Sequence, residues 1–536
     1  MKFKLTLFLL LFCFVNLTAQ QQNKDIQNAL SSIDSLDLKY NTLFLSDDLL
    51  EGRLPGTYGD KVAAKYIATQ FAGYGAKPAG TDLKSYFQTF SMVSIKMEHD
   101  MLLDAKGETG KDSFQYYTEF IGFCGTNDTI IELHDKEVIF VGYGIEAPEY
   151  NWNDYKDIDV TGKILLMMNN DPSNDPELFE GKRRLYYGRW DYKYDIAARK
   201  GAVGAIIIHT DESAGYGWEV VQSSWSGENF DLSDNKDPKA SLNGWLTYEA
   251  SKRFVALSGH DLDQLMNSAE DINFRPLPLN IKINISMKAT VKEVQTSNVL
   301  AYIEGSDKKL KDEVIVYTSH LDHLGIGVPI DGDSIYNGAL DNATGVSSLI
   351  SLAKAFSQLK VKPKRSILFA AVTGEEQGLL GSEYYAQNPT FPISQIVACI
   401  NIDAINIYGE PKNVTVIDGD ASNLFDIVNG EAKKLNMVAV KDRSPEQGLF
   451  YRSDQFSFAK RGVPSIYISN GNEYVKQRSS EMSNVIEEWQ KNSYHQPKDE
   501  VQPWWDFAGM TKNVKLFFLV GNTIANNKNR PSIINK

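Results

Sequence analysis

From about residue 298 the chain alternates short apolar runs with polar loops. Val299–Ile303, Val314–Thr318, Ile367–Val372, Ile396–Ile402, Val414–Ile417 and Ser465–Ile468 are mostly apolar and rich in branched residues. That is the pattern of strands buried on both faces. Between them Val346, Leu349, Ile350, Ala353 and Phe356 recur at helical spacing and predict a helix over Ala343–Leu359. A last helix is expected over Phe507–Asn526. Alternating strands and helices predict an α/β fold, a three-layer sandwich around a mixed, mostly parallel sheet.

Upstream, Val62, Ala63, Tyr66, Ile67 and Phe71 form one apolar face of a helix, with Gly59-Asp60 read as its N-terminal cap. The stretch 99–290 has a different texture. Apolar runs at Val138–Val141, Ile164–Met168 and Ala205–His209 are broken by polar and aromatic loops, with a helix expected over Tyr192–Lys200. We read 99–290 as a separate mixed α/β module inserted into a principal domain built from 27–98 and 298–530. Its least regular parts are expected at Asp171–Arg189 and Trp218–Trp225. The acidic residues of Asp171–Asp175 lack calcium-ligand spacing and read as a turn.

The 536 residues exceed one compact core and imply two or three domains. A formal net charge of -14 argues against a nucleic-acid partner, which requires clustered basic residues. Lys2 and Lys4, the apolar run Leu5–Val15 and the small-residue end Leu17-Thr18-Ala19 predict a signal peptide over 1–19, cleaved near Ala19. The run is too short to span a bilayer, and bulky Phe12 before Cys13 disfavours a lipid anchor. An exported protein, periplasmic or secreted and without stable membrane insertion, is expected. Cys124 and Cys399 are far apart and imply no disulfide framework.

Candidate chemistry lies between residues 320 and 495. His320 and Asp322 occur in SHLDH, Asp341 in GALDNATG, Glu375 and Glu376 in TGEEQG, Asp403 in NIDAIN and His495 in SYHQPKDE. Imidazole and carboxylate are zinc's preferred nitrogen and oxygen donors, and two zinc ions can share one carboxylate. Asp341 is the candidate bridge, with His320 and Asp403 completing one metal and Glu376 and His495 the other. Asp322, two residues after His320, would share a strand face with it and accept a hydrogen bond from the imidazole. Glu375 suits a general base, taking a proton from a metal-bridging water whose hydroxide attacks the substrate carbonyl. His323 adjoins the motif and receives no role.

These motifs together resemble the co-catalytic di-zinc exopeptidases, the group of bacterial leucyl-type aminopeptidases, glutamate carboxypeptidase and the transferrin receptor. The resemblance covers 27–98 and 298–526 and implies the zinc-peptidase fold, two Zn2+ ions, five metal ligands, an orienting aspartate and a glutamate base. It also implies a cis Asp341–Asn342 peptide bond. Ser453-Asp454-Gln455 and Gly462-Val463-Pro464 resemble a motif that lines the cleft. Trp190-Asp191-Tyr192-Lys193 and the run that follows give the insert the look of a protease-associated (PA) domain, either flanking the cleft or serving as a spacer. An aminopeptidase acting on peptide or protein N-termini is the leading expectation. A carboxypeptidase is the alternative, and Arg183, Arg184, Arg189 and Arg452 cannot be placed from sequence to choose between them. A glutaminyl cyclase or a receptor-like binding protein is disfavoured by the complete ligand set.

Overall fold

The computed structural model describes residues 23–417, 419–476 and 479–534, so the expected signal peptide lies outside the described residues. The chain packs around separate hydrophobic cores. In the principal domain the strand Val314–His320 runs parallel to Ser366–Val372 on one side and to Ile396–Asn401 on the other. Ile396–Asn401 pairs in parallel with Ser465–Asn470. Antiparallel neighbours flank this block: the end of Leu277–Ile303 beside Ser366–Val372, and Asn413–Ile417 beside Ser465–Asn470. The sheet is mixed, with a parallel centre.

Strand residues alternate between two apolar layers, as the two-residue period requires. Ile315, Tyr317, Ile367, Phe369 and Ala371 face a core shared with Thr344–Gln358, Phe507–Asn526, Ser35–Leu45 and Tyr58–Gly73. Val314, Val316, Leu368, Ala370 and Val372 face a smaller one containing Tyr385, Phe458 and Val463. Both faces are therefore covered, giving the three-layer sandwich, and the strands read as continuous apolar runs for that reason.

The second large core belongs to the region between. Ile130–Phe140, Ile164–Met168, Gly204–His209 and Leu242–Thr247 form a parallel set, with Phe120–Phe123 antiparallel at its edge. Helices Trp190–Arg199 and Tyr248–Ala256 pack beside it. One strand, Leu277–Ile303, threads both cores. Its first part pairs with Ile130–Phe140, its middle with Phe87–Met97 and its end with Ser366–Val372.

Three local expectations are corrected. The cap of Tyr58–Gly73 is Thr57, whose side chain accepts from the Asp60 amide, so Gly59-Asp60 lies inside the helix. Trp218–Trp225, expected to be irregular, is an α-helix with Val220, Val221 and Trp225 buried. The strand ending at Ile303 begins at Leu277 and not at Val299. Among the described residues no helix is long and apolar enough to cross a membrane.

Candidate metal centre

His320 is the last residue of its parallel strand; Glu375 and Glu376 follow Ser366–Val372, and Asp403 follows Ile396–Asn401. Three adjacent parallel strands thus deliver these candidate residues at their carboxyl ends, where α/β sheets gather chemistry. Asp341 lies in the irregular turn entering Thr344–Gln358, and the Asp341–Asn342 peptide bond is cis. His495 comes from the loop after Ser479–Asn492 and holds a positive φ of 54°.

The structure brings these groups together. His320 Nε2 is 3.1 Å from Asp341 Oδ1 and 3.5 Å from Asp403 Oδ1. His495 Nε2 is 3.0 Å from Glu376 Oε2 and 3.5 Å from Asp341 Oδ2. The two oxygens of Asp341 therefore face two different imidazoles, each accompanied by a second carboxylate. Ligand atoms of His320, Asp341 and Asp403 lie within 4.8 Å of one another, as do those of His323, Asp341 and Glu376 and those of His320, Glu375 and Glu376.

Crowding of buried acids sets the electrostatics. Burial disfavours charge on His320, yet Glu375, Asp403 and Asp341 outweigh it and hold the imidazole well above its usual range. Burial likewise opposes charge on His495, but Glu376 and Asp341 raise it to about 10. Burial would raise Glu376, but the His495 and His323 rings bring it down to about 2. Glu375 moves the other way: burial, reinforced by Glu376, Asp454 and Asp403, pushes its carboxyl well up despite His320.

Asp322 departs from its expected task. His320 Nδ1 is 3.9 Å from the Asp322 carboxylate, too long for a hydrogen bond, and 3.2 Å from the Asp322 backbone carbonyl. The carboxylate accepts instead from the backbone amides of Glu375 and Glu376, at 3.2 and 3.4 Å. Chain direction changes in the loop after His320, so the two residues do not stay on one strand face. Asp322 orients the Glu375–Glu376 turn with its side chain and His320 with its backbone.

Several contributors escaped the sequence reading. His323 lies in the centre, its Nδ1 2.6 Å from Glu376 Oε1. Its position three residues after His320 was the available signal. Asp499, in the same SYHQPKDE segment as His495, accepts from the amides of Leu340 and Asp341 at 2.9–3.1 Å. Ser453 donates to Asp403 Oδ2 at 2.7 Å, giving a specific contact to a motif read only as cleft lining. Arg53, fully buried, donates to the carbonyls of Leu321, Asn337, Gly338 and Leu45, tying the His320 and Asp341 loops to the N-terminal region. Ser224 Oγ, from the inserted region, is 2.8 Å from His495 Nδ1.

Fold and donor set define the class: a three-layer α/β sandwich with a histidine–carboxylate cluster that could hold metal at the carboxyl ends of its parallel strands. Residues 298–518 match the model of Peptidase family M28. An aminopeptidase from Aneurinibacillus sp. strain AM-1 superposes with a TM-score of 0.56 at 18% identity, covering 95% of this chain and 98% of that one. This likeness concerns the fold. A leucine aminopeptidase 2 of Arthroderma otae is 28% identical over 218 residues, 39% of this chain and 41% of the relative. A probable zinc metalloprotease of Pyrenophora teres f. teres is 36% identical over 112 residues, 21% of this chain and 23% of the relative. The chain spans less than half the length of these curated relatives.

Proposed function

We propose that the protein is a zinc aminopeptidase holding two zinc ions and removing residues from peptide N-termini. The carrying observation is that Asp341 turns one oxygen to His320, which Asp403 also approaches, and the other to His495, which Glu376 also approaches. The donors are imidazole nitrogen and carboxylate oxygen alone, a set that fits zinc. His320 Nε2, buried and without a well-directed hydrogen bond, is an orphan that a cation would complete. The relatives' descriptions as leucine aminopeptidase and zinc metalloprotease support the reading.

When bound, zinc supplies Lewis acidity toward a carbonyl and lowers the pKa of water toward neutrality. Asp341, His320, Asp403, Glu376 and His495 would hold the two ions, and Asp322 and Asp499 fix the backbones that carry Glu376 and Asp341. Glu375, beside Glu376 and in one cluster with His320, would accept a proton from the attacking water and pass it to the leaving amine.

The choice between the two ends of a peptide rests on the arginines. Arg184 donates to Asn170 and Ser213, Arg452 donates to the Ala214 carbonyl and lies over the Tyr216 ring, Arg183 pairs with Glu180 and Asp420, and Arg189 pairs with Asp191. Each makes at least one contact within the protein, which weighs against a carboxylate clamp. A cavity of about 460 Å³ reaches from Glu376 to the inserted region; Asp195 and Asp234 line it with Trp190 and Trp225, and its acidic residues outnumber its lysines, Lys236, Lys239 and Lys460. That lining suits a free amine. We take the inserted region to be a PA-type module walling this cleft, and residues 1–19 to direct export, so that the mature chain begins near residue 20. The test is zinc analysis of purified protein with a substrate panel. About two zinc ions per chain and cleavage of aminoacyl anilides are expected. Cleavage confined to N-blocked peptides with free carboxyl ends would overturn the aminopeptidase reading.

A further inference from the structure

Among the described residues, the candidate metal centre receives a side-chain hydrogen bond from outside the principal domain. His495 turns Nε2 toward Glu376 and Asp341 and Nδ1 away from them. A histidine that gives Nε2 to a metal must carry its proton on Nδ1, and the partner of that N–H fixes tautomer and ring orientation. Here the partner is Ser224 Oγ, at 2.8 Å, with both residues buried.

Ser224 sits on a firmly mounted element. The helix Trp218–Trp225 is pinned by Trp218 Nε1 and Gln222 Nε2, which both donate to the Tyr117 carbonyl, at 3.0 and 2.8 Å. Next to Ser224, Trp225 packs edge-on against Trp190 and tilted against Trp245. His495 needs such an anchor. It lies on a loop in a left-handed conformation, and its ring packs against Tyr494, its own chain neighbour, and edge-on against His323 within the site itself.

We propose that Ser224 is a positioning residue for the metal ligand His495, so that the inserted module completes the metal centre as well as walling the cleft. The inference rests on the two-zinc reading above. His495 Nδ1–H donates to Ser224 Oγ, which leaves the Nε2 lone pair directed at the half-site formed by Glu376 and Asp341. Among the described residues the other half-site, His320 with Asp403, has no contact of this kind with the module.

The test is competition between the full-length protein and a zinc chelator, comparing wild type, S224A and S224T, with melting of each metal-free protein measured alongside. Loss of a hydrogen-bond partner of this type costs about 10–100-fold in metal affinity. We expect S224A to weaken one of the two zinc ions by that factor, to leave the second unchanged and to melt as wild type when metal-free. S224T, which keeps Oγ, should restore the affinity. Unchanged affinity for both ions in S224A would overturn the proposal. So would a loss of affinity that accompanies an equal loss of metal-free stability and is not restored by S224T. Failure of the wild-type protein to bind zinc would instead refute the metal reading, whatever Ser224 does.

Discussion

Asp499 offers the sharpest test of how the bridging carboxylate is held. It is buried, its side chain accepts from the amides of Leu340 and Asp341, and its own carbonyl accepts from the Ala339 amide. Asp499→Asn keeps the shape but turns one acceptor into a donor that meets a buried N–H. A hydrogen bond to a charged group contributes about 1.5–3 kcal/mol, and a stranded buried donor costs about 1–3 kcal/mol. Against this, burial already pushes the Asp499 carboxyl up to about 6, so the neutral amide escapes a desolvation cost. A net loss of about 2 kcal/mol is expected, a sizeable part of a typical domain's stability. The same change loosens the backbone at Asp341. Misplacement of a reacting group by about 1 Å can cost about 100-fold in rate. Urea denaturation of the metal-free protein should show the first effect and kcat of the zinc-loaded protein the second. If D499N matches wild type in both, Asp499 does not position the bridge and the reasoning fails.

Glu375→Gln should lower turnover by about 10²–10⁴-fold with metal content intact, as expected for removal of a proton carrier; loss of zinc instead would show that Glu375 is a ligand. Glu383 gives a pH prediction away from the metal centre. Burial raises its carboxyl, but hydrogen bonds from Arg461 and the charge of Lys460 bring it down to about 2, below the ordinary 4.5. A depressed acid stabilises the fold fully above pH 4.5, and the contribution is lost as pH falls toward about 2. E383Q should therefore cost about 2 kcal/mol near pH 7, after discounting for solvent screening, with the gap to wild type closing as acid is added. A gap independent of pH between 7 and 2.5, measured by urea denaturation, would contradict this.

The parts that were legible in the sequence share a physical cause. Strands such as Ser366–Val372 are buried on both faces and so are written as unbroken apolar runs. Thr344–Gln358 packs one face on the sheet and shows its period directly. The first half of Leu277–Ile303 carries a legible two-residue pattern, since Leu279, Ile281, Ile283, Ile285 and Met287 alternate with polar residues. Trp218–Trp225 was hidden because it is only about two turns long and its buried face, Val220, Val221, Ser224 and Trp225, includes a polar residue. At the site, residue types with metal chemistry were visible, while supporting contacts were not. Ser224 and His495 are 271 positions apart, and nothing local marks either for the other. Asp322 shows the limit of spacing arguments, because the loop beyond His320 redirects its side chain from the ring to the Glu375–Glu376 amides.

The central claim is that one carboxylate is shared by two cations. Crystals of the zinc-loaded protein, measured at the zinc absorption edge, test it directly. The account predicts two anomalous peaks about 3.5–4 Å apart with the Asp341 carboxylate between them. One peak should lie against His320 and Asp403, the other against Glu376 and His495. A single peak, or two peaks with Asp341 bound to neither, would contradict it.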